Sequence, residues 1–228
     1  MKIVAYVPMK LNNERLSNKN TRAFDNGRPL LTYILETLCQ VKGISDIYAY
    51  CSNNTITKYL PPQVKYLTRC TSLDQSETKI NEVMLGFAHA VNADVYVLAH
   101  ATAPFVSVTS IEDGISKILT EGYDSALTVI KVQDFLWKDG KPFNYDPSFV
   151  PRTQDLPPMY AETTGLYIYT RNLIIDQNRR VGDRPYLIPV SKIEAIDINE
   201  PIDFDIANAI FNKNIPLNSQ DIDISTDR

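Results

Sequence analysis

Residues 1–22, MKIVAYVPMKLNNERLSNKNTR, combine a strand pattern with a basic loop, and the rest of the chain is built around them. The apolar run at 3–7 predicts a buried strand, which Pro8 is expected to end. The loop that follows supplies cations and amides, from Lys10, Arg15, Lys19 and Arg22 and from Asn12, Asn13, Asn18 and Asn20. Ammonium and guanidinium groups bind phosphate well alongside loop N–H donors, so this segment predicts a phosphate site. An ordinary solvated basic loop is the alternative.

Strand and helix patterns alternate along residues 3–130. The sequence predicts helices at 30–41, 76–91 and 109–121, and further strands at 47–50, 64–67, 95–98 and 125–130. This alternation predicts an α/β fold with a doubly wound, mostly parallel sheet covered by helices. Ligands of such sheets bind beyond the carboxyl ends of the strands. The loop at 10–20, Arg69 and the loop at 100–104 follow strands, so we expect them to meet in one cleft.

The alternation stops at about 131–165, in a stretch rich in aromatic residues and proline. We expect an excursion from the sheet that serves as a lid or a dimer contact, with a long packed connection as the alternative. Beyond it the sequence predicts strands at 166–169 and 186–190, a short helix or turn at 171–178, and a strand that ends at 195–199. Pro201 stands at a favourable first position for a last helix. The predicted organisation is one domain over 1–212 and a polar tail over 213–228.

The composition is that of an ordinary soluble globular protein, with 44% hydrophobic and 22% charged residues. A formal net charge of -4 argues against a protein that coats nucleic acid but is compatible with a local basic pocket. No apolar stretch is long enough to predict a membrane span, and the N-terminus lacks a signal-peptide pattern. Three cysteines without a C-x-x-C pair are typical of reduced thiols. We therefore expect a cytoplasmic protein without nucleic-acid or membrane partners.

Two common nucleotide-binding patterns, G-x-x-x-x-G-K-[ST] and G-x-G-x-x-G, are missing from the sequence, which argues against a P-loop ATPase and a dinucleotide-binding domain. The segments VPMK (7–10), RL (15–16) and KN (19–20) instead resemble the N-terminal signature of the acylneuraminate cytidylyltransferase family. Enzymes of that family join CMP from CTP to sialic acid, and their relatives activate ketodeoxyoctonate and similar acids. The chain departs from the family pattern at Lys10, where arginine is usual, and at 17–18, where proline and glycine are common.

The resemblance continues in order down the chain. It is carried by Arg69 after the third strand, HATAPF (100–105), RTQDLP (152–157), GLYI (165–168) and AIDINEPIDF (195–204). The ordered set covers most of residues 2–212 and is more specific than any one of its parts. It implies a nucleotide-diphospho-sugar transferase-like fold and a homodimer built through the excursion at 131–165.

The chemistry of nucleotidyl transfer and the resemblance together indicate a nucleotide site. The α-phosphate must be held in line with the incoming oxygen, and the charge of the leaving pyrophosphate must be neutralised. Lys10, Arg15 and Lys19 are the expected catalytic clamp, and Lys19 is expected to contact the reacting phosphate. The full predicted nucleotide-binding set is Lys10, Asn12, Arg15, Lys19, Asn20, Arg69 and Thr78.

Asp197 is the predicted ligand of a Mg²⁺ ion, because Mg²⁺ prefers carboxylate oxygens, phosphate oxygens and water. The family has a second aspartate two residues later, where this chain has Asn199. An amide oxygen can still ligate the ion or hold a bound water, but it carries no charge. The alternative for Asn199 is a part in starting the final helix.

The resemblance is thinnest on the acceptor side. Arg152 is available to pair with a carboxylate or phosphonate, whereas Glu162 would repel an anionic acceptor if it faced the pocket. His100 stands where the family has glutamine, and it could hydrogen-bond the acceptor, help deprotonate it, or serve the structure alone. The predicted acceptor-binding set is His100, Thr102, Arg152, Gln154, Glu162 and Thr164.

The sequence therefore predicts a cytidylyltransferase that transfers CMP from CTP to an acidic sugar, sialic acid or a similar nonulosonic acid, and releases pyrophosphate. A different acceptor is the nearest alternative: ketodeoxyoctonate, a phosphorylated compound or a phosphonate. A metal-dependent glycosyltransferase is another, although its aspartate pair usually lies mid-chain rather than near the end. A non-catalytic nucleotide-binding protein is the third, suggested by Asn199 and the altered run at 161–165.

Overall fold

The computed structural model describes residues 1–11, 16 and 18–213. The helices of this part of the chain are α1 (Leu30–Gln40), α2 (Ile80–Ala90), α3 (Val108–Glu121), α4 (Arg171–Ile175) and α5 (Pro201–Asn212). Its strands are β1 (Ile3–Met9), β2 (Asp46–Cys51), β3 (Val64–Thr68), β4 (Val95–Ala99), β5 (Ser125–Val132), β6 (Trp137–Lys138), β7 (Lys141–Pro142), β8 (Met159–Thr170) and β9 (Pro185–Pro189).

Seven of these strands form one sheet in the order β3-β2-β1-β4-β8-β5-β9. The neighbours β1–β2, β1–β4, β2–β3 and β5–β9 are parallel, whereas β8 runs antiparallel to both β4 and β5. The predicted α/β fold with a mostly parallel sheet is confirmed. Because β2 and β3 lie on one side of β1 and β4 lies on the other, the strand order reverses between β1 and β4. Clefts for ligands form beside such reversals.

Alternate side chains along each strand feed two apolar layers, one on each face of the sheet. On β1, Ile3, Ala5 and Val7 join the layer that packs against α1 and α3. Val4 and Tyr6 join the layer that packs against α2 and α4. All five side chains are at most 3% exposed. Helices on both faces therefore explain why this strand reads as a continuous apolar run.

A third apolar cluster fastens α5 to the first half of the chain. The Phe204 ring stacks on Phe24 with centroids 4.4 Å apart, and Leu30 and Phe105 pack in the same cluster. Ile198, just before α5, is fully buried there. The cluster therefore fixes the polar residues that flank Ile198.

Several element boundaries differ from the sequence-based expectation. Strand β1 runs through Pro8 to Met9, because in the parallel pairing with β2 this position can do without an N–H donor. Helix α2 begins at Ile80 rather than at 76, and the Lys79 backbone N–H, which donates to Glu82 Oε1 at 3.0 Å, is satisfied at this start.

Residues 195–199 are not a strand, contrary to the prediction. The Ile198 N–H donates to the Thr102 carbonyl at 2.8 Å, so this segment is hydrogen-bonded to a loop and not to a strand. The excursion from the sheet is also shorter than 131–165. Strands β5 and β8 pair as far as Val132 and Met159, which leaves 133–158 outside the sheet. Within the described residues, no helix has the length and apolar character needed to cross a membrane.

Candidate active site

The carboxyl ends of β1, β3 and β4 open onto one cavity of about 220 Å³. Lys10 follows β1, Arg69 follows β3 and His100 follows β4, as the sequence-based placement of these loops predicted. The N-terminal approach to α2 forms another wall. The lining residues are Pro8, Lys10, Arg69, Leu73, Gln75, Ser76, Thr78, Ile80, Val83 and His100.

Arg69 is the buried cation of this cavity. It is 4% exposed and forms an ion pair with Asp74, whose carboxylate also accepts a hydrogen bond from the Ser52 hydroxyl. Lys10 Nζ donates to the Asp74 backbone carbonyl at 3.3 Å, so Asp74 joins the two predicted phosphate ligands. The Arg69 Nε is buried and has no hydrogen-bond partner within the part of the chain that the structure describes. An N–H in that condition can stabilise an incoming anion.

The loop after β1 is anchored by Lys19 and Asn20, which lie in a 3₁₀ turn, Lys19–Thr21. Both side chains are at most 9% exposed. Lys19 Nζ donates to the Ile198 carbonyl at 2.7 Å, and Asn20 Nδ2 donates to the Lys10 carbonyl at 3.0 Å. Lys19 therefore ties the basic loop to the segment that carries Asp197. Asn20 holds the backbone of Lys10 in place.

A bulge in β8 places Thr164 beside Asp197. The pairing register with β5 shifts between Leu127 and Val129, which leaves extra β8 residues at 163–166. Thr164 takes a left-handed backbone conformation there, with φ of 59°, and its Oγ1 donates to Asp197 Oδ2 at 3.1 Å. Bulges of this kind are common next to active sites because they re-aim a side chain.

Asp197 has one carboxylate oxygen that is hydrogen-bonded and one that lacks a partner among the described residues. Its Oδ2 accepts from Thr164 and from Asn199 Nδ2, the latter at 2.8 Å. Its Oδ1 is buried and makes no hydrogen bond to any of residues 1–11, 16 or 18–213. A carboxylate oxygen of this kind fits Mg²⁺, which is held in nucleotide sites by one or two carboxylates plus phosphates and waters. Among the described residues, no group of three or more His, Cys, Asp or Glu side chains that could hold a metal ion occurs.

Asn199 serves the local structure as well as facing Asp197. Its side-chain N–H orients the Asp197 carboxylate, and its backbone N–H donates to Asp203 Oδ2 at 2.9 Å at the start of α5. This second contact is the helix-starting alternative considered from the sequence. Asn199 thus contributes a donor where a second carboxylate would have contributed charge.

His100 presents an uncharged imidazole to the site. Its backbone N–H donates to the Gly165 carbonyl at 3.0 Å, and its Nε2 is shielded from solvent with no partner in the described structure. Burial lowers the pKa of His100 to about 4, and the charges of Arg180 and Lys19 act in the same direction, against an opposing contribution from Asp197. At neutral pH the ring therefore offers one N–H donor and one acceptor nitrogen.

Glu162 does not stand alone as the sequence suggested. Its Oε2 accepts a hydrogen bond from the Tyr167 hydroxyl at 2.7 Å and lies 3.8 Å from Arg180 Nη2. The Arg180 guanidinium stacks on the Tyr167 ring, with its central carbon 3.8 Å from the ring centroid. A cation therefore offsets the carboxylate that was expected to repel an anionic acceptor.

The other predicted site residues take different positions. Thr78 lines the cavity, and Thr102 contributes its backbone carbonyl to the Asp197 segment. Arg152 and Gln154 lie in the excursion and do not line the cavity. Arg152 is instead held by Asp155 through two hydrogen bonds of 2.7 and 2.9 Å. Asn12 and Arg15 lie outside the described residues.

Two residues of the site, Asp74 and Arg180, were not predicted from the sequence. Asp74 lies five positions after Arg69 in the sequence. This close spacing of a basic and an acidic residue could have indicated their ion pair. Arg180 belongs to an arginine doublet after α4, where nothing in the local pattern indicates that its side chain turns back onto β8.

The profile of the family described as cytidylyltransferase matches residues 4–205. The chain belongs to the cytidylyltransferase family. It is similar to the N-acylneuraminate cytidylyltransferase of Oncorhynchus mykiss, with 26% identity over 194 residues, and to N-acylneuraminate cytidylyltransferase A of Danio rerio, with 22% identity over 191 residues. Each match covers 79% of this chain and 44% of the relative, so the chain spans less than half the length of these curated proteins. The family resemblance found in the sequence motifs is confirmed.

Solved structures with the same fold include a synthetase and a synthase. A CMP:2-keto-3-deoxy-manno-octonic acid synthetase complexed with CTP aligns with a TM-score of 0.70 and 13% identity, covering 94% of this chain and 100% of that one. The 4-diphosphocytidyl-2C-methyl-D-erythritol synthase of Anaerococcus prevotii aligns with a TM-score of 0.66 and 15% identity, covering 92% and 96%. At these identities the likeness demonstrates a shared fold.

Proposed function

We propose that this protein transfers CMP from CTP to a small acidic acceptor, sialic acid or a similar nonulosonic acid, with release of pyrophosphate. The observation that carries the proposal is a cavity at the strand ends that is lined by two cations, Lys10 and Arg69, and by His100, on whose ring the charge of the Asp197 carboxylate acts. Cations suit the triphosphate, and a carboxylate oxygen without a partner suits a metal that accompanies it. Membership of the cytidylyltransferase family supports CTP as the donor.

The triphosphate would bind along the cationic wall of the cavity. Arg69 would exchange its contact with Asp74 for a phosphate oxygen, and the N-terminus of α2 adds favourable backbone N–H groups. Lys19, held by the Ile198 carbonyl, is placed between the basic loop and Asp197, where the α-phosphate would lie. A fixed cation there stabilises charge as it develops and needs no reorganisation during the reaction.

The reaction is a displacement at the α-phosphorus. A hydroxyl oxygen of the acceptor forms the new P–O bond, the bond to the pyrophosphate oxygen breaks, and the hydroxyl proton passes to water. Mg²⁺, when bound by Asp197 and the phosphates, would supply neutralisation of the charge on the phosphate oxygens. His100 Nε2 can accept the hydrogen bond of the attacking hydroxyl and so orient it. A pKa of about 4 makes His100 a weak base, so orientation is its main proposed contribution.

Pyrophosphate release tests the proposal. The protein is incubated with CTP, Mg²⁺ and a panel of nonulosonic acids, ketodeoxyoctonate, phosphorylated sugars and phosphonates. We expect pyrophosphate with CTP and at least one acidic acceptor, and loss of about a hundredfold in turnover for Asp197→Asn. The exposed carboxylate Asp176, changed to Asn, is the matched control.

The alternatives give different outcomes in the same assay. Turnover confined to ketodeoxyoctonate, a phosphorylated compound or a phosphonate keeps the cytidylyltransferase activity and replaces the acceptor. CTP binding without turnover on any acceptor favours a non-catalytic protein. Sugar transfer or hydrolysis from a nucleotide-sugar favours a glycosyltransferase and contradicts the proposal.

We further propose a homodimer formed through the excursion at 133–158. Large apolar side chains are exposed there, among them Trp137 at 63% and Phe149 at 81%. Exposed apolar surface of this kind is typical of protein interfaces. Light scattering that gives the mass of one chain would contradict the dimer.

A further inference from the structure

Arg180 lies between α4 and β9 and reaches back over β8. Its guanidinium carbon is 3.8 Å from the centroid of the Tyr167 ring, which is close stacking. The side chain is 24% exposed. Stacking fixes the plane of the guanidinium and leaves its N–H groups, which lie in that plane, able to donate.

The N–H donors of Arg180 are not engaged by the described residues. Its ionic contact is with Glu162 Oε2, at 3.8 Å, which is beyond hydrogen-bonding distance. The same oxygen accepts from the Tyr167 hydroxyl at 2.7 Å. None of the described residues accepts a hydrogen bond from the Arg180 guanidinium. The guanidinium is three-quarters buried and its plane is fixed by stacking. Its in-plane N–H groups can therefore donate to an anion that approaches along its edge.

Arg180 stands on the same face of the sheet as the cavity. Tyr167, on which Arg180 stacks, and Val83, which lines the cavity, belong to the same apolar layer on one face of the sheet. Leu98 and Tyr167 both belong to the layer beneath α2 and α4. The Arg180 charge also contributes to the low pKa of His100. Arg180 is therefore close enough to His100, which lines the cavity, for its charge to act on that ring.

We propose that Arg180 binds the anionic group of the acceptor, exchanging its long contact with Glu162 for bidentate hydrogen bonds to an oxyanion. Carboxylate, phosphate and phosphonate groups share the paired oxygens that a guanidinium recognises. The inference rests on the proposed function, because it treats the space beside His100 as the acceptor site. In this proposal Arg180, rather than Arg152, is the arginine that binds the acceptor, because the Arg152 guanidinium is paired with Asp155.

Three variants and a matched control test the assignment. Arg180→Met removes the charge, Arg180→Lys keeps the charge without the bidentate geometry, and Glu162→Gln removes the competing carboxylate. Arg184→Met is the control, because Arg184 also stacks on a tyrosine, Tyr123, with 4.9 Å to the centroid, near the starts of β5 and β9. Thermal unfolding of each variant confirms that it is folded.

Binding of simple oxyanions provides a readout that does not need turnover. Acetate, inorganic phosphate and methylphosphonate are titrated at constant ionic strength into protein saturated with CTP in EDTA, and the arginine Nε–Hε NMR signals are followed. We expect saturable binding of at least one probe, weaker by about tenfold or more in Arg180→Met and unchanged in Arg184→Met. Glu162→Gln should bind roughly two- to fivefold more tightly. Preference for acetate or for the tetrahedral anions identifies the class of acceptor.

Failure of the inference and failure of the proposed function are distinguishable. If the wild type releases pyrophosphate but Arg180→Met keeps the same acceptor KM, the inference is wrong and the function stands. If the wild type neither binds CTP nor releases pyrophosphate, the function is wrong, and the same anion titration without CTP still reports on Arg180. Equal probe binding by wild type and Arg180→Met, or no probe binding by the wild type, overturns the inference.

Discussion

Acidification should destabilise the protein through His100. The pKa of His100 is about 4 in the folded protein, against 6.5 for an ordinary histidine. Between these values the unfolded chain binds a proton that the folded chain does not, so the free energy of unfolding falls as the pH falls. From pH 7 to pH 5 the loss from this one group is about 2 kcal/mol, because each pH unit below 6.5 contributes about 1.4 kcal/mol. Below about pH 4 both states are protonated and the loss stops growing.

Urea unfolding at pH 7 and pH 5 measures this contribution. His100→Gln keeps a hydrogen-bonding side chain without the titration, so the stability difference between wild type and variant should change by about 2 kcal/mol between the two pH values. Identical pH dependence in wild type and His100→Gln would refute the assignment of a buried, uncharged imidazole beside Asp197, Lys19 and Arg180.

Two further changes have direct expected outcomes. Lys19→Met should lower turnover about a hundredfold, because it removes a fixed cation from the reacting phosphate, while the exposed Lys42→Met leaves turnover unchanged; equal rates for both variants would argue against the role of Lys19. Gly165→Ala should lower the urea midpoint by the equivalent of about 1–3 kcal/mol, because a Cβ there would lie 2.9 Å from Ala103 Cβ and 3.2 Å from Val106 Cγ2, and an unchanged midpoint would show that the β8 bulge can relax.

The sequence was sufficient to predict the sheet and the position of the cleft. Apolar runs separated by helical patterns define parallel strands, and parallel strands bring their carboxyl ends to one edge of the sheet. Lys10, Arg69 and His100 could therefore be assigned to one cavity without knowledge of their contacts. Each belongs to a loop that directly follows a strand, so its position depends on topology alone.

The remaining contacts depend on side-chain directions that local patterns do not specify. Arg152 carried the expected motif, but Asp155 in the same turn binds its guanidinium. Ile198 has the apolar character of a strand residue, and yet its N–H bonds to the carbonyl of Thr102 in a loop. Arg180 reaches Glu162 across 18 positions of sequence, through a turn whose pattern gives no direction. Hydrophobic periodicity therefore could not predict the contacts that irregular segments make.

Calorimetric titration of CTP in the presence of Mg²⁺ tests the central claim most directly, namely that the cavity at the strand ends holds a triphosphate. We expect binding of one CTP per chain, with affinity lowered by about tenfold or more in Arg69→Met and unchanged in the Arg184→Met control. Absence of CTP binding to the wild type, or equal affinity for the wild type and Arg69→Met, would contradict it.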